Sequence, residues 1–191
     1  MSEIVIHGVQ VTTLRGVEQT LRAAPDQGIV HFAVENTWTG PARHRTETRD
    51  ITGPMVNHHR ETPHVVEGDE PQPLLGTDQA ISPVELLLTA VTHCVGTTLS
   101  YHAALREVEL QRVVIQARGT IDLQGFLGTV PDVPARLSRI ELAFEIDADV
   151  DDATIQDLIR TAVRRSPVSD TVKHGTTVVA RRSREAQAPA T

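Results

Sequence analysis

The sequence has a single cysteine, Cys94, and a single lysine, Lys173. One cysteine excludes an intramolecular disulfide and any cysteine-rich zinc site. No basic segment followed by an apolar stretch opens the chain over residues 1–9, so no secretory signal is expected. No run of ~18 apolar residues is present, so no membrane span is expected. Basic residues are in deficit overall: Lys plus Arg number 18 against 25 Asp plus Glu, a formal charge of -7. A chain of this charge has no general electrostatic affinity for nucleic acid or anionic lipid. The expectation is a soluble protein, most simply a cytoplasmic one, of 191 residues, long enough for one domain or a tight pair of small ones with a sizeable core.

Leu14, Val17 and Leu21 recur at helical spacing over residues 10–24, and Pro25 with Gly28 ends that helix. From Ile29 to Trp38 the period becomes two, which predicts a half-buried strand carrying Val30, Phe32 and Val34 on one face. Gly40-Pro41 marks a turn, and Arg43 to Ile51 reads as its polar partner strand. Residues 52–82, rich in Pro, Gly and acidic side chains, predict an ordered surface loop with one strand around Val65.

Ser82-Pro83-Val84-Glu85 opens the strongest element. Pro after Ser, with Glu three residues on, is a capping-box start. The helix is expected to run to about Arg106. Leu86, Leu87, Leu88, Ala90, Val91, Val95, Leu99 and Leu105 lie nearly all the way round it, the pattern of a buried central helix. Strands follow at Leu110–Leu123 and Ile140–Asp147, joined through Gly125-Phe126-Leu127-Gly128. A second amphipathic helix carries Ile155, Leu158, Ile159, Ala162 and Val163 and stops at Ser166-Pro167. A last strand is expected at Thr176–Ala180, then a frayed tail. The order defines an α+β fold.

Cys94 sits midway along the central helix. A free cysteine is commonly just a small buried hydrophobe. Leu87, Ala90, Val91, Thr97, Thr98 and Tyr101 share its face by helical spacing, giving an apolar pocket edged by hydroxyls. Such a pocket disfavours a thiolate unless a cation lies nearby. The helix N-terminus is too far to serve: Cys94 is eleven residues past Pro83, roughly 16 Å at ~1.5 Å per residue, and the dipole effect fades within a turn. A reactive Cys94 therefore needs an arginine or a protonated histidine from elsewhere.

Residues 82–94, Ser-Pro-Val-Glu-Leu-Leu-Leu-Thr-Ala-Val-Thr-His-Cys, resemble the central-helix motif of the osmotically inducible protein C and organic hydroperoxide resistance (OsmC/Ohr) superfamily, with its peroxidatic cysteine eleven residues after a proline. Gly-Pro-Ala-Arg, residues 40–43, is similar to the turn whose arginine activates that thiol, which assigns Arg43 as the partner of Cys94. Arg-Ser-Pro-Val-Ser-Asp-Thr-Val, residues 165–172, resembles the segment of the family's resolving cysteine. Residues 122–128 are also similar to a strand-to-loop signature of some branches. The resemblance implies an OsmC-like domain over 29–180, preceded by a helical extension over 1–28 and followed by a flexible tail over 181–191. It also implies an intertwined homodimer, with antiparallel sheets of both subunits wrapping two long buried helices.

The family pattern breaks at two places. Position 166 is Ser where the family has its resolving cysteine, and position 84 is Val where it has its glutamate. Glu85, nine residues from Cys94, is about 900° round the helix and so on the opposite face; it reads as the cap partner of Ser82. Arg45, Arg49 and Arg60 are alternatives to Arg43, with solvated surface charge as the ordinary role of each. His58, His59, His64 and His93 are the metal-capable side chains, but they show no recognised ligand spacing, and neither a metal nor a cofactor is expected. The resemblance implies a one-cysteine peroxidase acting on organic hydroperoxides, recycled by an external thiol. Its alternative is a non-enzymatic relative that binds an apolar small molecule at the dimer interface.

Overall fold

Helix α2 (Pro83–Leu105) is the axis of the fold in the computed structural model, which describes residues 3–182. It starts where the sequence predicts. Ser82 donates from its backbone N and its Oγ to Glu85 Oε2 at 2.9 and 2.7 Å, and the Glu85 amide returns to Ser82 Oγ at 3.4 Å. These bonds to Ser82 hold the Glu85 carboxyl below its ordinary range, first through the hydroxyl and then through the backbone N–H. The helix ends where Glu107 turns left-handed at φ 59°.

One stripe of α2, Val91, Val95, Leu99 and Ala103, is buried against Leu158 and Ala162 of helix α4 (Asp152–Arg165). Strands β8 (Leu110–Thr120) and β9 (Arg139–Ala148) form an antiparallel pair, in register from Arg112↔Asp147 to Thr120↔Arg139, with a register shift between Leu110 and Arg112. Their period of two sets Val113, Ile115, Leu142, Phe144 and Ile146 against the same core. Between them lies a short helix, α3 (Leu123–Leu127), where the sequence suggests only a connection. Asp122 caps it by accepting from the Gln124 amide at 2.9 Å. A side chain at Gly125 would collide with the Pro134 carbonyl, and Gly128 closes the helix at φ 65°. The 122–128 phrase is therefore accounted for by backbone geometry alone.

Ser166-Pro167 does end α4, but a second helix, α5 (Pro167–His174), starts at the same point. Proline is as well suited to a first helical position as to a stop. Ser166 Oγ accepts from the Ser169 amide at 3.2 Å to cap the new helix.

The N-terminal half forms a separate antiparallel sheet in the order β3 (Val34–Trp38), β4 (His44–Thr48), β7 (Val65–Gly68). Strand β3 is shorter than its pattern suggests, and residues 29–33 add only a bridge from His31 to Thr52. The strand is also not half-buried: every residue of β3 is exposed, Trp38 at 66%. Among the described residues, no helix packs extensively on this sheet, and a parallel bridge between Gly68 and Ile81 ties it to the rest. The expected 52–82 loop largely holds a small hairpin, β5 (Ile51–Gly53) with β6 (Val56–His58), turning at Pro54-Met55.

Two further expectations differ for the same physical reason. Ala90, His93, Thr97 and Tyr101 leave one side of α2 exposed, so a single chain does not bury the helix all the way round. Thr176–Ala180 forms no strand, and Val178 and Val179 are 87% and 82% exposed. One chain offers neither surface a partner. The N-terminal extension is tied down: β1 (Val5–Ile6) pairs antiparallel with β2 (Val9–Gln10), helix α1 (Val11–Ala23) buries Val11, and Arg15 donates to Leu105 O and Glu107 at the end of α2. Residues 183–191 of the expected tail lie outside the described residues.

Candidate functional site

Cys94 is a half-buried free thiol in the middle of α2. Its neighbour Val95 is buried and faces the core, while His93 points to solvent. Thr98 Oγ1 donates to the Cys94 carbonyl at 2.7 Å, so the hydroxyl one turn on is spent on the backbone. Of the residues expected to share its face, Val91 is buried and Leu87 and Thr98 are half-buried, while Ala90, Thr97 and Tyr101 are exposed.

Arg43 comes from the turn between β3 and β4, closed by Thr39 N to Arg43 O at 2.9 Å. Its guanidinium Nη1 donates to Gln79 Oε1 at 3.4 Å. Gln79 precedes Pro83 by four residues, which puts this cation at the start of α2 and not at its middle. Among the described residues of one chain, no hydrogen bond or ion pair joins Arg43 to Cys94.

Gln79 is itself held by Asp69, a residue the sequence reading passed over. Asp69 is buried and accepts from Glu70 N at 2.9 Å, Thr77 N at 3.1 Å, Gln79 N at 3.2 Å and the Thr77 hydroxyl. The Thr77 hydroxyl, with the three N–H groups adding to it, pulls its carboxyl below the ordinary carboxylate range. A clasp of this kind turns the 69–79 segment into a fixed mount for Gln79. Its only trace in the sequence is an Asp ahead of Thr and Gly, a common loop composition.

The alternative arginines are engaged on the outer sheet. Arg45 pairs with Glu67 at 2.8 Å and Glu47 at 3.3 Å, and Arg49 with Glu35 at 2.9 Å. Those carboxylates raise both guanidinium pKa values further. Arg60 donates to the Arg49 carbonyl. Of the histidines, His59 bonds Asp50 at 2.7 Å on the surface, and no group of three or more metal-capable side chains gathers among the described residues.

Ser166 is fully buried where α4 meets α5, and both helices pack on α2. Beside this junction lies a cavity of about 980 Å³ between α2, β9, α4 and α5. Its walls include Leu87, Val91, Leu142, Phe144, Ile159 and Val163. Leu87 and Val91 stand seven and three residues before Cys94 on the same helix face. Cys94 itself does not line the cavity, whereas Ser169, Val172 and Lys173 of the α5 segment that follows Ser166 do.

A long central helix flanked by antiparallel sheets and shorter helices, with one thiol at its midpoint, defines the class of α+β folds to which solved OsmC-like structures belong. Residues 76–181 match the family model for OsmC-like protein, and the chain belongs to that family. The fold is shared with a putative osmotic stress induced and detoxification response protein from Psychrobacter arcticus, at 20% identity and TM-score 0.55 over 74% of this chain and 88% of that one. An organic hydroperoxide resistance protein OsmC from Legionella pneumophila matches at 14% identity and TM-score 0.57, covering 76% and 90%. An organic hydroperoxide resistance protein from Elizabethkingia anophelis matches at 17% and 0.56, covering 75% and 89%. No curated protein matches the chain. No helix among the described residues is long and apolar enough to cross a membrane.

Proposed function

We propose that this OsmC-family chain is a one-cysteine peroxidase that reduces organic hydroperoxides through Cys94. The observation that carries the reading is the half-buried thiol on the helix face shared with Leu87 and Val91, which wall an apolar cavity. Two of the structures sharing this fold are named organic hydroperoxide resistance proteins, which adds support at family level. The Cys94 thiolate attacks the distal oxygen of ROOH. The O–O bond breaks, the sulfur is oxidised to a sulfenic acid, and the alkoxide takes a proton and leaves as alcohol. Serine at 166 provides no second thiol, so an external thiol condenses with the sulfenic acid, releasing water. A second thiol then attacks the mixed disulfide and restores Cys94.

The activating cation is Arg43 of a second copy. Within one chain Arg43 stays at the start of α2, whereas the bare faces of the outer sheet and of α2 suit an intertwined homodimer. In that arrangement the partner's arginine stabilises both the thiolate and the developing alkoxide. The test is to reduce the protein, add cumene hydroperoxide, and follow peroxide loss together with intact mass. A gain of one oxygen that Cys94→Ser abolishes supports the reading.

A second reading is favoured by Val84 and Ser166, which stand where the family has its glutamate and resolving cysteine. On that reading the cavity binds an apolar small molecule without turnover. A Cys94 inert to peroxide selects it.

A further inference from the structure

The β1–β2 hairpin closes through the two-residue turn His7-Gly8, next to the pair Ile6↔Val9. Both turn residues are left-handed, His7 at φ 35° and Gly8 at φ 86°. Turns of this kind favour Asn or Asp before Gly, so a histidine here holds backbone strain that something else must offset. Its ring supplies the offset. Nδ1 of His7 accepts from the Leu110 N–H at 3.4 Å, at the start of β8, and Nε2 meets the Ser100 carbonyl of α2 at 3.0 Å. The His7 backbone N–H adds a bond to Glu109 Oε1 at 3.2 Å. Among the described residues, the other hydrogen bonds of residues 3–10 stay within the hairpin or reach only Val11, Thr12 and Thr13. His7 alone bonds the hairpin to α2 and β8. A carbonyl oxygen only accepts and an amide N–H only donates, so the two ring bonds together require a neutral imidazole with its proton on Nε2. The same side chain closes the Ser100 end of a groove of about 640 Å³, walled by Thr92, His93 and Thr97 of α2 and by Val113 and Ile115 of β8.

We infer that His7 is a proton-operated latch, which holds the N-terminal hairpin across the end of this groove while its ring is neutral and releases it when the ring takes a second proton. Protonation puts an N–H on Nδ1 and turns the acceptor into a donor aimed at the Leu110 N–H. That bond is then lost, and with it the tie to β8. The charged groups around the ring come from three elements. Glu109, just before β8, attracts a charged ring, but it is exposed and already accepts from the His7 amide. His93 lines the same groove from α2 and, when charged, repels a second cation. On α1, Arg15 is taken up by Glu107 at 2.9 Å. The latch therefore holds in alkali and opens in acid, uncovering the His93 side of α2. It rests on neither functional reading.

The test uses the full-length protein at pH 8 and pH 5, either side of the ordinary imidazole value of about 6.5. Long-range proton–nitrogen NMR at pH 8 should find His7 as the Nε2–H tautomer, its signals assigned by their absence from His7→Asn. The Nδ1–H tautomer overturns the proposal. Amide exchange, corrected for the intrinsic rate, should show the protection of residues 5–10 and of Leu110 falling roughly fivefold or more from pH 8 to pH 5, what one net hydrogen bond is worth. The buried amides of Val95 and Leu99 should keep theirs. His7→Asn is the matched control, because asparagine suits the left-handed turn, offers Oδ1 near the place of Nδ1 and takes up no proton. Its hairpin should show no such fall. An equal fall in both proteins, or none in the wild type, overturns the latch. The wild type also gives a test that needs no variant: the Leu110 amide shift should follow the His7 ring signals through one shared midpoint. Two separate midpoints overturn the coupling.

Discussion

Arg43 donates to Gln79 across 3.4 Å, and Gln79 in turn hangs from the buried Asp69 through its backbone N–H at 3.2 Å. The cation is therefore mounted on a neutral amide, where the family pattern supplies a glutamate at the position Val84 fills. A guanidinium held by an amide keeps its full charge available to an anion. With Arg43 of a second copy beside Cys94, as proposed, Arg43→Met is expected to slow alkylation of Cys94 by iodoacetamide at pH 7 roughly tenfold or more, the effect of removing one opposite charge within ~4–6 Å of an ionisable group. Gln79→Ala, which frees the arginine without deleting it, should fall between the two. Identical rates in all three proteins would show that Arg43 does not act on the thiol.

The bare sheet predicts association. Light scattering at micromolar concentration should give about twice the 20.8 kDa chain mass. Trp38, the only tryptophan, lies on that sheet and is 66% exposed in a single chain. Its emission should be blue-shifted in the dimer and move to the red on dilution. A monomeric mass with solvent-like emission at micromolar concentration contradicts the arrangement.

Ser166 is the sharpest departure from the family pattern, and its substitution tests the C-terminal alignment. Ser166→Cys, treated with one equivalent of hydroperoxide, should lose two hydrogens and stop reacting with iodoacetamide, because a sulfenic acid condenses with a neighbouring thiol. Bridging needs Cα atoms about 4.4–6.8 Å apart. The variant should also be less stable by about 1 kcal/mol, since the serine hydroxyl caps α5. Sulfinic acid accumulating as fast as in the wild type would place residue 166 outside bridging reach of Cys94.

Acid should loosen the mount of Arg43. The Asp69 carboxyl has a lowered pKa in the fold, so its contribution is fully present above its unfolded value, about 4, and is lost as the pH falls through the lower folded value. Asp69→Asn turns one acceptor into a donor facing N–H groups. Its melting temperature should lie several degrees below wild type at pH 7, and the gap should narrow as the pH approaches 3. A gap independent of pH would mean the carboxylate charge contributes nothing.

The body of the fold was legible because its signals are local. Ser82, Pro83 and Glu85 write a capping box into four consecutive residues, and Ile140, Leu142, Phe144 and Ile146 alternate without a break. Both elements came out within one or two residues. The α5 helix was hidden because proline marks a stop and a start alike. The strand expected at Thr176–Ala180 and the half-burial expected of β3 assumed a partner surface that one chain does not provide. Of the candidate residues, Cys94 stood out as the single cysteine on the central helix and Arg43 only through the family resemblance, whereas Gln79 and Asp69 left no signal. Their roles depend on a loop folding back over ten residues, which no periodicity records. Lys173 was conspicuous as the only lysine, but its place beside the cavity depends on α5.

The slender tie between outer sheet and body, the Gly68–Ile81 bridge with the Asp69 clasp beneath it, sets two levels of amide protection. Amides of β8, β9 and the buried stripe of α2 exchange with solvent only when the common core opens. Those of β3, β4 and β7 exchange whenever the sheet peels away, at a much smaller free energy. A second copy packed on that sheet would raise the lower level and leave the upper one to the core. The difference between the levels would then depend on how much protein is in the tube.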